Sequence, residues 1–131
     1  MKDDFYTLTT YLHNKNMITY PMEDYLEMIA RKKDEKLTIT SLSAYLNIKK
    51  SSCSKMISKL KTLNLLNIKE NKITLTEKGL KIGEYLYHRH QVLERFLKEL
   101  NQEHFKLEQV EKLEHFIDEL TLLNIEKKLL K

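Results

Sequence analysis

Three short clusters in this chain carry side chains able to hold a cation. The first is Asp24-x-x-Glu27, where the i, i+3 spacing puts both carboxylates on one face of a helix. The second is Tyr87-His88-Arg89-His90. Its two histidines lie about 200° apart on a helix, so a single site uses one of them and not both. The third is Glu111-x-x-Glu114-His115, whose three groups share one helical face within a turn. Singly, each has an ordinary structural explanation. Acidic residues favour a helix N-terminus, and surface carboxylates pair with lysines such as Lys112. Jointly they supply four carboxylates and two imidazoles, with no thiolate or thioether. An oxygen-rich set of this kind suits hard divalent ions, Mn2+ first and Fe2+ next, over Zn2+ or Cu+. Four carboxylates could also hold two ions by bridging.

A second constellation points to nucleic acid. On a helix from about 51 to 63, Cys53, Met56, Ile57 and Leu60 gather on one face. Ser51, Lys55, Ser58 and Lys59 gather opposite, with Ser52 and Ser54 flanking them near the N-terminus. The apolar face can pack on preceding helices. The other face offers only hydroxyl and ammonium groups, which suit phosphates and base edges in a major groove. The free N–H groups at the helix start also favour phosphate. Alone, a Lys/Ser face is more often a solvated surface. The hairpin that follows it shifts the balance, because Lys69, Asn71 and Lys72 at its turn could reach the adjacent backbone. Cys53, by its phase, is a small core residue and not a nucleophile.

The elements that must position these groups follow from pattern. Residues 1–20 form an N-terminal extension, either a short helix or an arm. Pro21 opens a helix to about Lys33, with Glu23 and Asp24 in its first turn. Thr40 serves as N-cap for a helix carrying Leu42, Tyr45 and Leu46. Asn47–Lys50 breaks the chain before the helix at 51–63. Leu66–Lys69 and Lys72–Leu75 read as two strands around Glu70-Asn71. Thr76 begins a long helix to about Leu100, interrupted at Asn101–Glu103. A further helix from about Leu107 to Leu123 shows an apolar stripe of Val110, Leu113, Phe116, Ile117 and Leu120. Asn124 ends it, before a short helical tail. The expected fold is mainly α: a winged helix-turn-helix DNA-binding domain over 21–76, then a helical domain over 77–131.

Composition agrees. The 131 residues include only 2 glycines and 1 proline, which encodes few tight turns and favours helices. Hydrophobic residues make up 41% and charged residues 32%, too apolar a balance for a disordered chain. The net charge of +4 permits nucleic-acid binding without requiring it. A lone cysteine excludes an internal disulfide and a Cys-based zinc site. The acidic start lacks a signal peptide's apolar run, and no stretch approaches the roughly 18 apolar residues of a membrane span. A cytoplasmic protein without membrane contact is the expectation.

Several runs together resemble the diphtheria toxin repressor family, and within it the manganese transport regulator branch. They are Met22–Glu27, Ser51–Ile57, Leu75–Gly79, Arg89-His90 followed by Leu93–Leu97, and Val110–His115. The resemblance covers roughly residues 21 to 123 in order. It implies a homodimer joined through C-terminal helices that binds palindromic operator DNA when loaded with metal, Mn2+ or Fe2+. By position it assigns Asp24, Glu27, His90, Glu111, Glu114 and His115 as metal ligands, with Glu111 and Glu114 bridging a two-metal site. The iron-sensing branch carries methionine at the place of Asp24 and cysteine at that of Glu111, so oxygen at both favours manganese. The missing length for the family's SH3-like third domain is read the same way. Residues 1–20 exceed the branch's usual start, and the segment Asn101–Lys106 is about one residue short. His88 and His104 receive no role and are expected on the surface.

The mechanism that follows is a metal switch. Ligands from both domains bring four carboxylates together, which is unfavourable without a cation. Metal then ties the halves together and sets the spacing of two recognition helices near one DNA turn or a multiple of it. Two rivals differ in class. A metal-independent winged-helix regulator would respond to an organic ligand. A di-iron carboxylate enzyme would use Glu-x-x-His pairs in a helix bundle, whereas this chain has one Glu-x-x-Glu-His, and no catalytic motif stands out.

Overall fold

The computed structural model describes residues 18–130. The expected extension therefore lies, as far as residue 17, outside the described residues. Helix α1 spans Tyr20–Arg31, with Thr19 as its N-cap, accepting from the Met22 amide at 3.3 Å. Pro21 sits in the first turn, where its missing N–H has no helical partner to lose.

Helix α2 spans Ile39–Leu46 and starts two residues before the expected place. Its cap is Thr38, not Thr40. Thr38 Oγ1 accepts from the Ser41 amide at 3.1 Å, and Ser41 Oγ accepts from the Thr38 amide at 2.8 Å. A serine thus completes a capping box that usually ends in Glu or Gln. Asn47 ends α2 in the left-handed conformation, φ 56°, which Asn tolerates better than most residues.

Helix α3 spans Lys50–Thr62. Strands β1 (Leu66–Lys69) and β2 (Lys72–Leu75) pair antiparallel, with Leu66 opposite Leu75 and Lys69 opposite Lys72. Glu70 and Asn71 both adopt positive φ, 51° and 65°, the demand of a two-residue turn matching strand twist. The Ile73 amide donates to the Leu37 carbonyl at 2.8 Å, which ties the hairpin to the chain before α2. Leu26, Leu42, Ile57, Leu60 and Leu66 are fully buried at the centre of this unit. Each contributes about 1.5–3 kcal/mol by leaving water.

Helix α4 spans Glu77–Asn101, and the chain divides into two compact units within it, between Tyr87 and His88. Its start packs closely. A Cβ on Gly79 would lie 1.9 Å from the Leu65 carbonyl oxygen, and one on Gly83 would lie 2.7 Å from that of Leu26. Both neighbours are backbone, so glycine is required by proximity rather than by torsion.

The second unit continues with a 3-10 turn at Gln102–His104, α5 (Leu107–Glu114), α6 (Glu119–Asn124) and a π turn at Ile125–Leu129. The single helix expected from 107 to 123 is two helices. Asp118 is extended, and its Oδ1 accepts from the Thr121 amide at 2.7 Å, so it caps α6. The stripe divides accordingly: Val110 is buried, while Phe116 is 76% and Leu120 66% exposed. Asn124 does not stop the chain. It is helical and leads into the π turn. Val92, Leu93, Leu97, Val110, Leu122 and Ile125 form this unit's core.

Candidate metal centre and nucleic-acid interface

Helix α1 carries Asp24 and Glu27 in the first unit. Asp24 is exposed, whereas Glu27 is 8% exposed. The Glu27 carboxylate is paired with Arg31, one turn further along the same helix. Arg31 in turn lies over the Tyr87 ring, 4.9 Å from its centroid.

Helices α4 and α5 carry the remaining candidates in the second unit. His90 Nδ1 stands 3.0 Å from Glu114 Oε2, joining two residues far apart in sequence. Glu114 is only 3% exposed. His115 follows as the C-cap of α5, with Nε2 4.0 Å from Glu114 Oε1. One buried carboxylate and two imidazoles thus converge. Glu111, a turn earlier, is exposed and lies outside this cluster. A buried carboxylate needs donors or a cation to offset its lost hydration. A neutral imidazole offers one N–H and one lone pair. The donor set is oxygen and nitrogen only, so it fits a divalent ion of intermediate to hard character.

The two histidines of α4 separate as helical geometry requires. His88 Nε2 lies 3.0 Å from Glu126 Oε1 at the C-terminal turn, while His90 meets Glu114. His88, expected on the surface, is therefore half-buried, with its ring nitrogen at hydrogen-bond distance from the Glu126 carboxylate. His104 is exposed, as expected.

Glu94 was not among the residues singled out by sequence. Its Oε1 stands 3.2 Å from His90 Nε2, and its Oε2 accepts from Lys98 Nζ at 2.8 Å. The Lys98 hydrogen bond, opposed by partial burial, holds the Glu94 carboxyl below its ordinary value, with smaller help from Lys98 charge and His90. The signal was present: His90-x-x-x-Glu94-x-x-x-Lys98 is an unbroken i, i+4 series. Glu94 thereby fixes the ring whose other nitrogen faces Glu114.

On the first unit, Ser51, Ser52, Ser54, Lys55, Ser58 and Lys59 of α3 are all exposed, as are Lys69, Asn71 and Lys72 of the hairpin. Cys53, Ile57 and Leu60 are fully buried beneath them. Burial pushes the Cys53 thiol up, away from reactivity. No acidic residue occurs in α3, and no side chain caps its first N–H groups. Those amides remain open to an anion. Lys49 and Lys50, exposed beside them, extend the basic face and were not singled out from sequence.

Comparison with known families places this arrangement. Residues 17–72 match the family model described as the iron-dependent repressor N-terminal DNA-binding domain. Residues 76–131 match the one described as the iron-dependent repressor metal-binding and dimerisation domain. The chain belongs to this family of repressors, the one its sequence resembles, and its small hairpin is the wing of a winged helix.

Among solved structures, the manganese regulator SloR is 28% identical at a TM-score of 0.70, covering 82% of this chain and 52% of its own. ScaR with bound Zn2+ is 26% identical at 0.69, with the same coverages of 82% and 52%. The IdeR of T. acidophilum, 22% identical at a TM-score of 0.69, covers 87% of this chain and 55% of its own and shares the fold. The chain spans about half the length of these relatives. Because SloR is a manganese regulator and the match covers only 52% of its chain, shortness does not by itself mark manganese sensing.

Proposed function

We propose that this chain is a manganese-responsive, DNA-binding transcriptional repressor that controls metal-ion homeostasis. The observation that carries the reading is the His90–Glu114 pair with His115 beside it, inside the region matched by the metal-binding model. Asp24, Glu27, His90, Glu111, Glu114 and His115 are the proposed ligands. Bound there, a divalent ion supplies positive charge that offsets the mutual repulsion of four carboxylates. His90 and His115 contribute neutral nitrogen. Glu94 holds His90 by its other nitrogen. Because Asp24 and Glu27 lie in the DNA-binding region, ligation links that region to the dimerisation region, and metal and DNA affinities become reciprocally coupled.

The DNA contacts are assigned to Ser51, Ser52, Ser54, Lys55, Ser58 and Lys59 of α3, and to Lys69, Asn71 and Lys72 of the wing. The protein acts as a homodimer through its C-terminal helices on a palindromic operator. Exposed Phe116, Leu120 and Leu129 supply apolar surface for the second copy. Manganese is favoured over iron by oxygen donors at Asp24 and Glu111. The family's own description keeps Fe2+ as the second reading.

The test combines Mn2+ titration with DNA binding on one purified sample. Glu114→Ala is expected to abolish the metal response while preserving helix content by circular dichroism. Lys55→Ala is expected to weaken DNA binding roughly tenfold and lower the salt slope by about 1, with Mn2+ binding retained. A Glu114→Ala protein that still responds to Mn2+ would exclude this site.

A further inference from the structure

Glu27 is a nearly buried carboxylate that already has a cation. The Arg31 guanidinium pairs with it across one turn of α1 and rests on the Tyr87 ring, 4.9 Å from its centroid. Resting on the reading of Glu27 as a ligand, we infer that Arg31 is an internal competitor for the metal. It neutralises Glu27 in the metal-free protein and competes with the ion for that carboxylate.

Three features suit Arg31 to that part. Its charge persists at any physiological pH, so the competition does not depend on titration. It is the last residue of α1, and its side chain remains 30% exposed, so a rotamer change delivers the guanidinium to water. Its Nε is buried without a hydrogen-bond partner, a desolvation cost that departure recovers. Arg31 is therefore held by one carboxylate and one ring face, firmly enough to fill the place and loosely enough to yield. The threshold ion concentration at which the protein loads is then set partly by this pair. A residue that only braced Glu27 for ligation would act in the opposite sense.

The experiment measures Mn2+ affinity calorimetrically, and metal-free melting temperature in EDTA, for the full chain and for Arg31→Gln, Arg31→Lys and Glu27→Ala. Arg31→Gln is expected to bind Mn2+ about fivefold tighter, the worth of a partly exposed ion pair, while its metal-free form melts lower. Arg31→Lys keeps the charge but loses the fork and ring contact, and is expected to fall between. Glu27→Ala is expected to bind weakly. An unchanged or weaker affinity in Arg31→Gln overturns the competitor role while leaving the metal reading intact. Failure of the unaltered chain to bind Mn2+ overturns the metal reading and this inference together. Full-strength binding by Glu27→Ala removes Glu27 from the ligands and the competitor with it.

Discussion

At the scale of single residues, chemistry here depends on what each ligand-type side chain is already doing. His90 stands between two carboxylates, and the farther one is anchored by Lys98. A ring held this way offers a defined nitrogen to a metal, because orienting it costs nothing further at binding. Glu94→Gln keeps the shape but weakens the grip on His90. It is expected to lower Mn2+ affinity about tenfold, measured by calorimetry, with little change in helix content. The three clusters of candidate ligands were legible because carboxylates and histidines recur at helical spacing, whereas the choice of His90 over His88 came from the family resemblance. Glu94 was legible too, but only by asking what holds a ligand rather than which residues are ligands. The pairing of Glu27 with Arg31 was visible as an i, i+4 spacing. Its significance depends on the burial of Glu27, which sequence does not give.

At the scale of elements, caps decide boundaries. Thr38 and Thr40 are chemically equal in sequence, and either could start α2. The structure selects Thr38, because Ser41 returns its hydrogen bond. Thr38→Ala is therefore expected to destabilise the protein by about 1 kcal/mol in urea denaturation, and Thr40→Ala by a few tenths at most. The wing, by contrast, was readable to the residue, since alternating strands around Glu70-Asn71 have only one register that buries Leu66 and Ile73.

The break between α5 and α6 was missed because the apolar spacing runs through it unbroken, and only Asp118 marks the restart. Hydrogen bonds from Thr121, its backbone amide first, hold the Asp118 carboxyl below the ordinary aspartate value. A depressed pKa contributes stability above the unfolded value, and that contribution disappears as pH falls through the lower folded value. Comparing urea midpoints of the wild type and Asp118→Asn from pH 6 downward should show wild type losing ground only in the acid range, below about pH 4.

At the scale of the whole molecule, the chain has two regions, each with its own core. Exposed hydroxyls and ammonium groups ride on a buried apolar face in one. A buried carboxylate and two imidazoles converge in the other. Among the described residues, no helix is long and apolar enough to cross a membrane. A ligand that binds only the folded form raises its melting temperature by mass action. Mn2+ at about a hundred times its Kd should therefore raise the midpoint by roughly 5–10 °C, with Mg2+ giving far less. Scanning calorimetry with both ions reads this directly.

In the proposed function, metal governs DNA binding. The most direct test is fluorescence anisotropy on a labelled duplex selected from a randomised pool with the Mn2+-loaded protein. The same duplex and protein are then titrated in Mn2+ and in EDTA at one fixed ionic strength. Coupling of ordinary size requires affinity at least fivefold, and up to about 150-fold, tighter with Mn2+. Equal affinity in the two conditions would contradict the account.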